Sequence, residues 1–213
     1  EVGNPRNLTF FEMLGNFSLG EYFKDGAADL AWEFVTEHMG LEREQLWATV
    51  FAGDPELGLG EDAVAVAAWE RIGVPPERIV RLPRSENFWQ AGPTGPCGPC
   101  SEIYYDRGPE HGCDRPDCAP GCECDRFLEV WNLVFMEFDQ KPDGRVPLPF
   151  GSVDTGMGLE RVASAVQQVM SNYDTDLFTP IHARLRALLG HDPDAFEAER
   201  LSYQVIADPA RAV

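Results

Sequence analysis

Positive charge is scarce in this chain: 17 Lys and Arg stand against 36 Asp and Glu, for a formal net charge of −19. A surface of that sign repels phosphate backbones, which excludes nonspecific nucleic-acid binding by the chain as a whole and argues against DNA as a partner. Long apolar runs are also missing. The longest, residues 127–138 (FLEVWNLVFMEF), stops well short of the ~20 residues a membrane span needs, and no charged-then-apolar leader is present. The expectation is a soluble, cytoplasmic protein with no membrane partner. Cysteine is absent outside one stretch, where all six lie at 97, 100, 113, 118, 122 and 124. A disulfide scaffold would scatter them through a small secreted fold, so this clustering favours metal binding or reduced thiols. There is no internal repeat. The first residue is Glu1 rather than Met, as expected of a processed or excised chain.

What is present suits one large domain: 44% hydrophobic residues with 13 Phe. Residues 5–18 (PRNLTFFEMLGNFS) set aromatics on both sides of Glu12 and predict a strand that bends near Gly15. From Phe23 to Met39 apolar residues recur at helical spacing. Residues 46–52 predict a strand, 60–72 a helix stopped by Gly73 and Pro75, and 79–82 another strand. The turn-rich stretch 91–125 predicts mostly loop. The aromatic and Val content of 127–138 favours a strand, although periodicity alone leaves helix open. Residues 146–155 predict a strand leading through Gly156 and Gly158 into a helix whose apolar face is Leu159, Val162, Ala163, Val166 and Val169. Helices follow at 177–189 and from about 195. The fold class is α+β, an antiparallel β-sheet flanked by helices.

Three pieces carry chemistry. In SVDTGMGLERV, residues 152–162, a strand delivers Asp154, two glycines clear space for close approach, and a helix carries Glu160 and Arg161. A guanidinium there suits phosphate oxygens or a base, while the plain alternative is a strand–helix turn with a surface Arg. Arg6 with TFFEMLGNFS, residues 9–18, could bracket an adenine between ring and guanidinium, although aromatic strand residues are commonly core. The third is NFWQAGPTGPCGPCSEIYYD, residues 87–106. Glu102 and Asp106 in it are candidate Mg²⁺ ligands or exposed strand carboxylates. His38, His182 and His191 read as structural or solvated.

In this order the pieces resemble the catalytic domain of the alanyl-tRNA synthetase family, class II aminoacyl-tRNA synthetases, from about Asn4 to Ile181 and on through VIAD at 205–208. RxxTFFEMLGNFS is similar to that family's motif 2 and DTGMGLER to its motif 3. FWQAGPTGPCGPCSEI and WNLVFMEF are similar to segments peculiar to the alanine enzymes. The resemblance implies ATP-dependent activation of alanine to alanyl-adenylate, with MgATP used and tRNA(Ala) charged by the complete protein. It implies Arg6 as the motif 2 arginine on the α-phosphate and Arg161 as the motif 3 arginine near adenine and γ-phosphate. Phe11 and Glu12 would be nucleotide contacts. Asp154 would receive the substrate ammonium, with Trp89 and Val134 as pocket walls and Asn132 and Gly156 beside the substrate. It further implies a catalytic domain over 1–180, with a Cys-rich insertion at about 107–125, and the start of a helical tRNA-recognition region over 181–213. The family's motif 1 is expected before residue 1. Where the family has histidines, this chain has Asn7 and Pro209, the latter expected to break the last helix. Without the family's other segments, adenylate formation is more credible than tRNA charging.

Cys113, Cys118, Cys122 and Cys124 follow C-x4-C-x3-C-x-C spacing in a Gly/Pro/Asp-rich loop, a candidate Zn²⁺ set whose alternative is reduced thiols. Cys97 and Cys100 form a competing pair, with His111 as another candidate. In some family members that pair is followed by two histidines, whose places Arg107 and Glu110 take here. Two other functional readings remain at this point: an activating enzyme with a non-tRNA acceptor, and a non-catalytic, zinc-stabilised binding module. Intact Arg6, Asp154 and Arg161 favour catalysis.

Overall fold

A computed structural model describes residues 2–213. The chain divides into two compact units, one spanning Leu14–Met157 and the other combining the chain up to Met13 with Gly158–Val213. After β1 (Met13–Leu14) the elements run β2 (Phe17–Leu19), α1 (Lys24–Glu33), a π-helical turn (Phe34–His38), β3 (Leu46–Phe51), α2 (Ala63–Ile72) and β4 (Ile79–Leu82). They continue with α3 (Arg84–Asn87), β5 (Phe88–Gln90), β6 (Gly95–Asp106), β7 (Phe127–Lys141) and β8 (Gly144–Gly158).

The sheet is ordered β8-β7-β6-β3-β4, with β2 laid on β8 and β5 on β6. These pairings are antiparallel except β3 with β4, which is parallel and makes the sheet mixed. The α+β expectation holds. Local chemistry explains the boundaries of α2: the Asp62 side chain accepts from Ala65 N at its start, and Gly73, at φ 101°, ends it in the left-handed conformation that glycine adopts without strain.

Side chains alternate across a strand, so β7 has two unlike faces. Trp131 and Phe135 meet the helical layer: Phe34 lies edge-on to Trp131 at 5.7 Å, and Phe23 edge-on to Phe135 at 5.7 Å. On the same side the Trp69 indole of α2 donates to Ser101 Oγ of β6 at 2.8 Å. Lys24 is buried there with its Nζ 2.7 Å from Asp62 and 2.5 Å from Glu137, a cation matched by two carboxylates. Asn132 and Val134 therefore point to the face that α1 and α2 leave alone.

The second unit holds α4 (Leu159–Val166), α5 (Thr179–Leu189), α6 (Pro193–Ala198) and α7 (Arg200–Ala210). Tyr173, Phe178 and Ala207 form its buried centre, with Leu8, Leu177 and Ile181 packed against them. The segment leading to Met13 is tied to α7, because Thr9 N and Thr9 Oγ1 both donate to Asp208 Oδ1 at 2.9 and 3.0 Å.

Several expectations fail for identifiable reasons. The strand over 5–18 is two short strands around Gly15, where a Cβ would overlap the Thr155 carbonyl oxygen. The stretch 91–125 is mostly irregular as expected, but its part Gly95–Asp106 is the twelve-residue strand β6. Its glycines and prolines serve a bulge between Cys97 and Cys100, where a Cβ on Gly98 would overlap the Phe135 carbonyl oxygen. The buried side of α4 is Glu160, Val162, Ser164 and Ala165, whereas Val166 is 47% exposed. An ionic partner for Glu160, not an apolar stripe, sets that face. Pro209 does not break α7, which continues to Ala210, since a proline in the last turn forfeits a single backbone bond. His182 is buried, while His38 is exposed and His191 Nδ1 pairs with the Tyr203 hydroxyl at 3.1 Å.

Candidate active site

Cross-strand register assembles four of the expected amino-acid residues on one face. Asn132 lies opposite Gly156 and Val134 opposite Asp154, so two successive same-side positions of β7 meet two of β8. Asp154 in turn lies opposite Phe17 of β2. The neighbouring Thr155 hydroxyl donates to Asn16 Oδ1 at 2.6 Å and accepts from Asn16 N at 2.9 Å, which fixes β8 beside Asp154. The Asp154 carboxylate is half-buried and, among the described residues, has no hydrogen-bond or ion-pair partner. Gly156 contributes no side chain. Trp89 sits on β5, opposite Gly98, and is 38% exposed.

The row continues inward. Asn132 lies opposite Glu102 of β6, and Glu102 opposite Thr49 of β3. Glu102 is buried, contrary to the exposed carboxylate expected, because β6 is an inner strand flanked by β3 and β7. Its Oε2 accepts from Thr49 Oγ1 at 3.0 Å and from Asn87 Nδ2 at 3.4 Å, and its Oε1 faces Asn132 Nδ2 at 3.5 Å. Burial first, and then the negative charge of Glu129, push its carboxyl up to about 8. It is therefore largely protonated at neutral pH. Asn132 Oδ1 is buried with no partner, and turning that amide over would let it accept the Glu102 proton. Asp106 is buried too. Burial alone would raise its carboxyl, but Arg126 and the Gly108 N–H hold it below its usual range; Arg126 binds it at 2.8 and 2.6 Å. A neutral acid and an acid committed to Arg126 do not fit Mg²⁺, which requires available anionic oxygens.

The expected nucleotide residues all lie in the other unit. The Asn4 side chain accepts from Arg6 N at 2.9 Å and from Asn7 N at 3.1 Å, a local turn that fixes the backbone at Arg6. Arg161 Nη2 donates to Asn7 Oδ1 at 3.4 Å, which brings α4 to the residue following Arg6. Phe11 is 53% exposed. The Glu12 carboxylate is engaged by Arg211 Nη2 at 2.7 Å, and its backbone N donates to Glu160 Oε1 at 3.1 Å. Arg211 Nη1 closes the network on Glu160 itself, which is 1% exposed. Thr49, Asn87 and Arg211 were not singled out from the sequence as site-supporting residues. The signal for Arg211 was a cation a few residues beyond VIAD.

The Sγ atoms of Cys113, Cys118 and Cys122 lie within 4.8 Å of one another, a group able to hold a metal ion. Cys97 and Cys100 are instead buried in β6. No helix among the described residues is long and apolar enough to cross a membrane.

Comparison with known proteins shows the family of the chain. The profile of the family described as tRNA synthetases class II (A) matches residues 1–213. The chain is 51% identical over 209 residues to an alanine–tRNA ligase of Desulforudis audaxviator and 52% identical over 210 residues to one of Desulfitobacterium hafniense. It is 49% identical over 209 residues to that of Desulfosudis oleivorans. The alignments take in 97–98% of this chain but 23% of each relative, so it spans under a quarter of their length. With matched sequence from end to end, the chain belongs to the family of class II (A) tRNA synthetases.

Proposed function

We propose that this chain activates alanine. A carboxylate oxygen of alanine attacks the α-phosphorus of ATP, the bond from that phosphorus to the bridging oxygen breaks, and pyrophosphate leaves alanyl-adenylate behind. The carboxylate is already ionised at neutral pH, so no general base is required. The demand is for alignment and for positive charge on the transferring phosphoryl oxygens. Arg6 and Arg161 supply that charge, with Phe11 beside the base and Glu12 held by Arg211 rather than free to roam. Mg²⁺ enters with the nucleotide, and its charge offsets that of the phosphates.

The observation that carries the reading is Asp154: a half-buried carboxylate with no partner among the described residues, in a row with Asn132, Val134 and Gly156. An alkylammonium is the complement such a group lacks, and a small pocket walled by Val134 and Trp89 suits a methyl side chain. In a longer protein carrying the remaining segments, a ribose hydroxyl of tRNA(Ala) would attack the adenylate carbonyl and release AMP. Residues 181–213 would begin the tRNA-recognition region, and the setting would be cytoplasmic protein synthesis.

The test is Asp154→Asn in alanine-dependent exchange of pyrophosphate into ATP. A charge-assisted hydrogen bond contributes about 1.5–3 kcal/mol, so kcat/KM for alanine should fall by about 10- to 100-fold or more, with KM for ATP little changed. Unaltered alanine kinetics would remove Asp154 from the reading.

A further inference from the structure

We propose that Cys113, Cys118, Cys122 and Cys124 form a closed structural zinc site that orders the insertion between β6 and β7, independent of the activation chemistry. The segment 107–126 contains no Val, Ile, Leu, Met, Phe, Tyr or Trp. Apart from a single 3₁₀ turn at Pro109–His111 it has no regular secondary structure. A stretch of that composition cannot order itself by burying apolar surface, and the entropy of fixing it must be met by something else.

The geometry points to a metal. Cys118 Sγ and Cys124 Sγ are 3.7 Å apart. That is too long for a disulfide, whose sulfurs are ~2.0 Å apart. It matches the edge of a tetrahedron of sulfurs around zinc, ~3.8 Å for a Zn–S bond of ~2.3 Å. Cys113 and Cys122 join Cys118 in a group whose Sγ atoms lie within 4.8 Å of one another; Cys124 is outside that group and joins the set through Cys118. Two successive turns deliver the ligands: Cys118 N donates to Arg115 O at 3.3 Å and Cys122 N to Ala119 O at 3.1 Å. Between them Gly121 has φ +96°, and a Cβ there would press on the Leu82 side chain at 2.9 Å, so only glycine lets the chain swing Cys122 back.

Arg126 and Cys118 both flank Gly112, whose absent Cβ would meet each at 3.4 Å, and Arg126 is itself oriented by two bonds to Asp106 at the end of β6. It thus links the sulfur cluster to the strand from which the insertion leaves, as an outer-shell group does in metal sites. His111, the competing ligand, instead has its Nε2 3.8 Å from Glu110 Oε1. Four soft thiolates with no open position select zinc in a structural role over a catalytic one.

The full chain, purified under reductant, should contain one zinc per molecule. Replacing it with Co²⁺ should give thiolate-to-cobalt charge transfer and the d–d bands of a tetrahedral four-sulfur site. Chelation should lower the melting temperature. His111→Gln should leave metal affinity unchanged, whereas Cys124→Ser should weaken it by at least ~100-fold, beyond what loss of an outer-shell contact does. A well-folded wild-type chain that takes up neither zinc nor cobalt would overturn the proposal, as would stoichiometric iron or disulfide pairing among the four thiols. Cys124→Ser with wild-type affinity would overturn the ligand set. The cobalt spectrum of the unmutated chain decides the matter even if every variant misfolds, and pyrophosphate exchange, measured separately, reports on the activation reading.

Discussion

Replacing Glu102 with Gln should stabilise the protein at pH 8 and leave it nearly unchanged at pH 4. The ordinary glutamate value is 4.5, and in the folded chain burial, aided by the charge of Glu129, pushes Glu102 up to about 8. Below pH 4.5 the group is protonated in both folded and unfolded states and contributes no pH dependence. Between 4.5 and 8 the unfolded chain gives up its proton while the folded chain keeps it, so the folded state binds more protons and stability falls as pH rises. Each pH unit across that window costs about 1.4 kcal/mol, for a maximum near about 5 kcal/mol above pH 8. Glutamine resembles the protonated acid: its oxygen accepts from Thr49 and Asn87 as Oε2 does, and its amide can donate to Asn132 Oδ1 once that side chain is turned. Urea titrations of both proteins at pH 4, 6 and 8 give the difference, because titrating groups remote from Glu102 cancel. A gap of several kcal/mol that opens with pH is expected. A gap independent of pH would refute the claim that Glu102 is held protonated.

Three other perturbations follow from the packing. Arg211→Ala leaves Glu160 buried and unpaired and should cost about 3–5 kcal/mol in denaturant unfolding, while the double variant Arg211→Met, Glu160→Gln should lose much less. Gly98→Ala forces a methyl group into the Phe135 carbonyl and should destabilise by at least about 2 kcal/mol, visible as a lower melting temperature. Arg161→Ala, a half-buried side chain with a long contact to Asn7, should slow pyrophosphate exchange by about 100-fold and change stability by less than about 1 kcal/mol.

Much of the fold was legible because local signals and the final structure agree. The Asp62 cap and Gly73 stop bracket α2, and Val and aromatic residues mark β7. What was not legible depended on distant partners. Gly95, Pro96, Gly98 and Pro99 carry loop chemistry by themselves. They become strand because β7 on one side and β5 on the other supply the missing pairing. Glu102 looks solvent-facing in SEIYYD until β3 covers it, and Glu160 lies off the expected apolar stripe yet is buried, because Arg211, fifty-one residues on, gives it a counter-charge. The residues expected at the amino acid were easier to find than their supports. Asn132, Val134, Asp154 and Gly156 reach one face by strand alternation alone, whereas Thr49 and Glu102 join them through sheet order and Asn87 from the end of α3, which no local pattern encodes.

The most direct measurement of the central claim is exchange of labelled pyrophosphate into ATP by this chain, with each amino acid offered in turn. The account predicts exchange that depends on alanine, with weaker exchange for glycine and serine, because a methyl or hydroxyl changes binding in such a pocket by only about 1–3 kcal/mol. Exchange absent with alanine from folded protein, or equally fast with a bulky residue such as leucine, would contradict it.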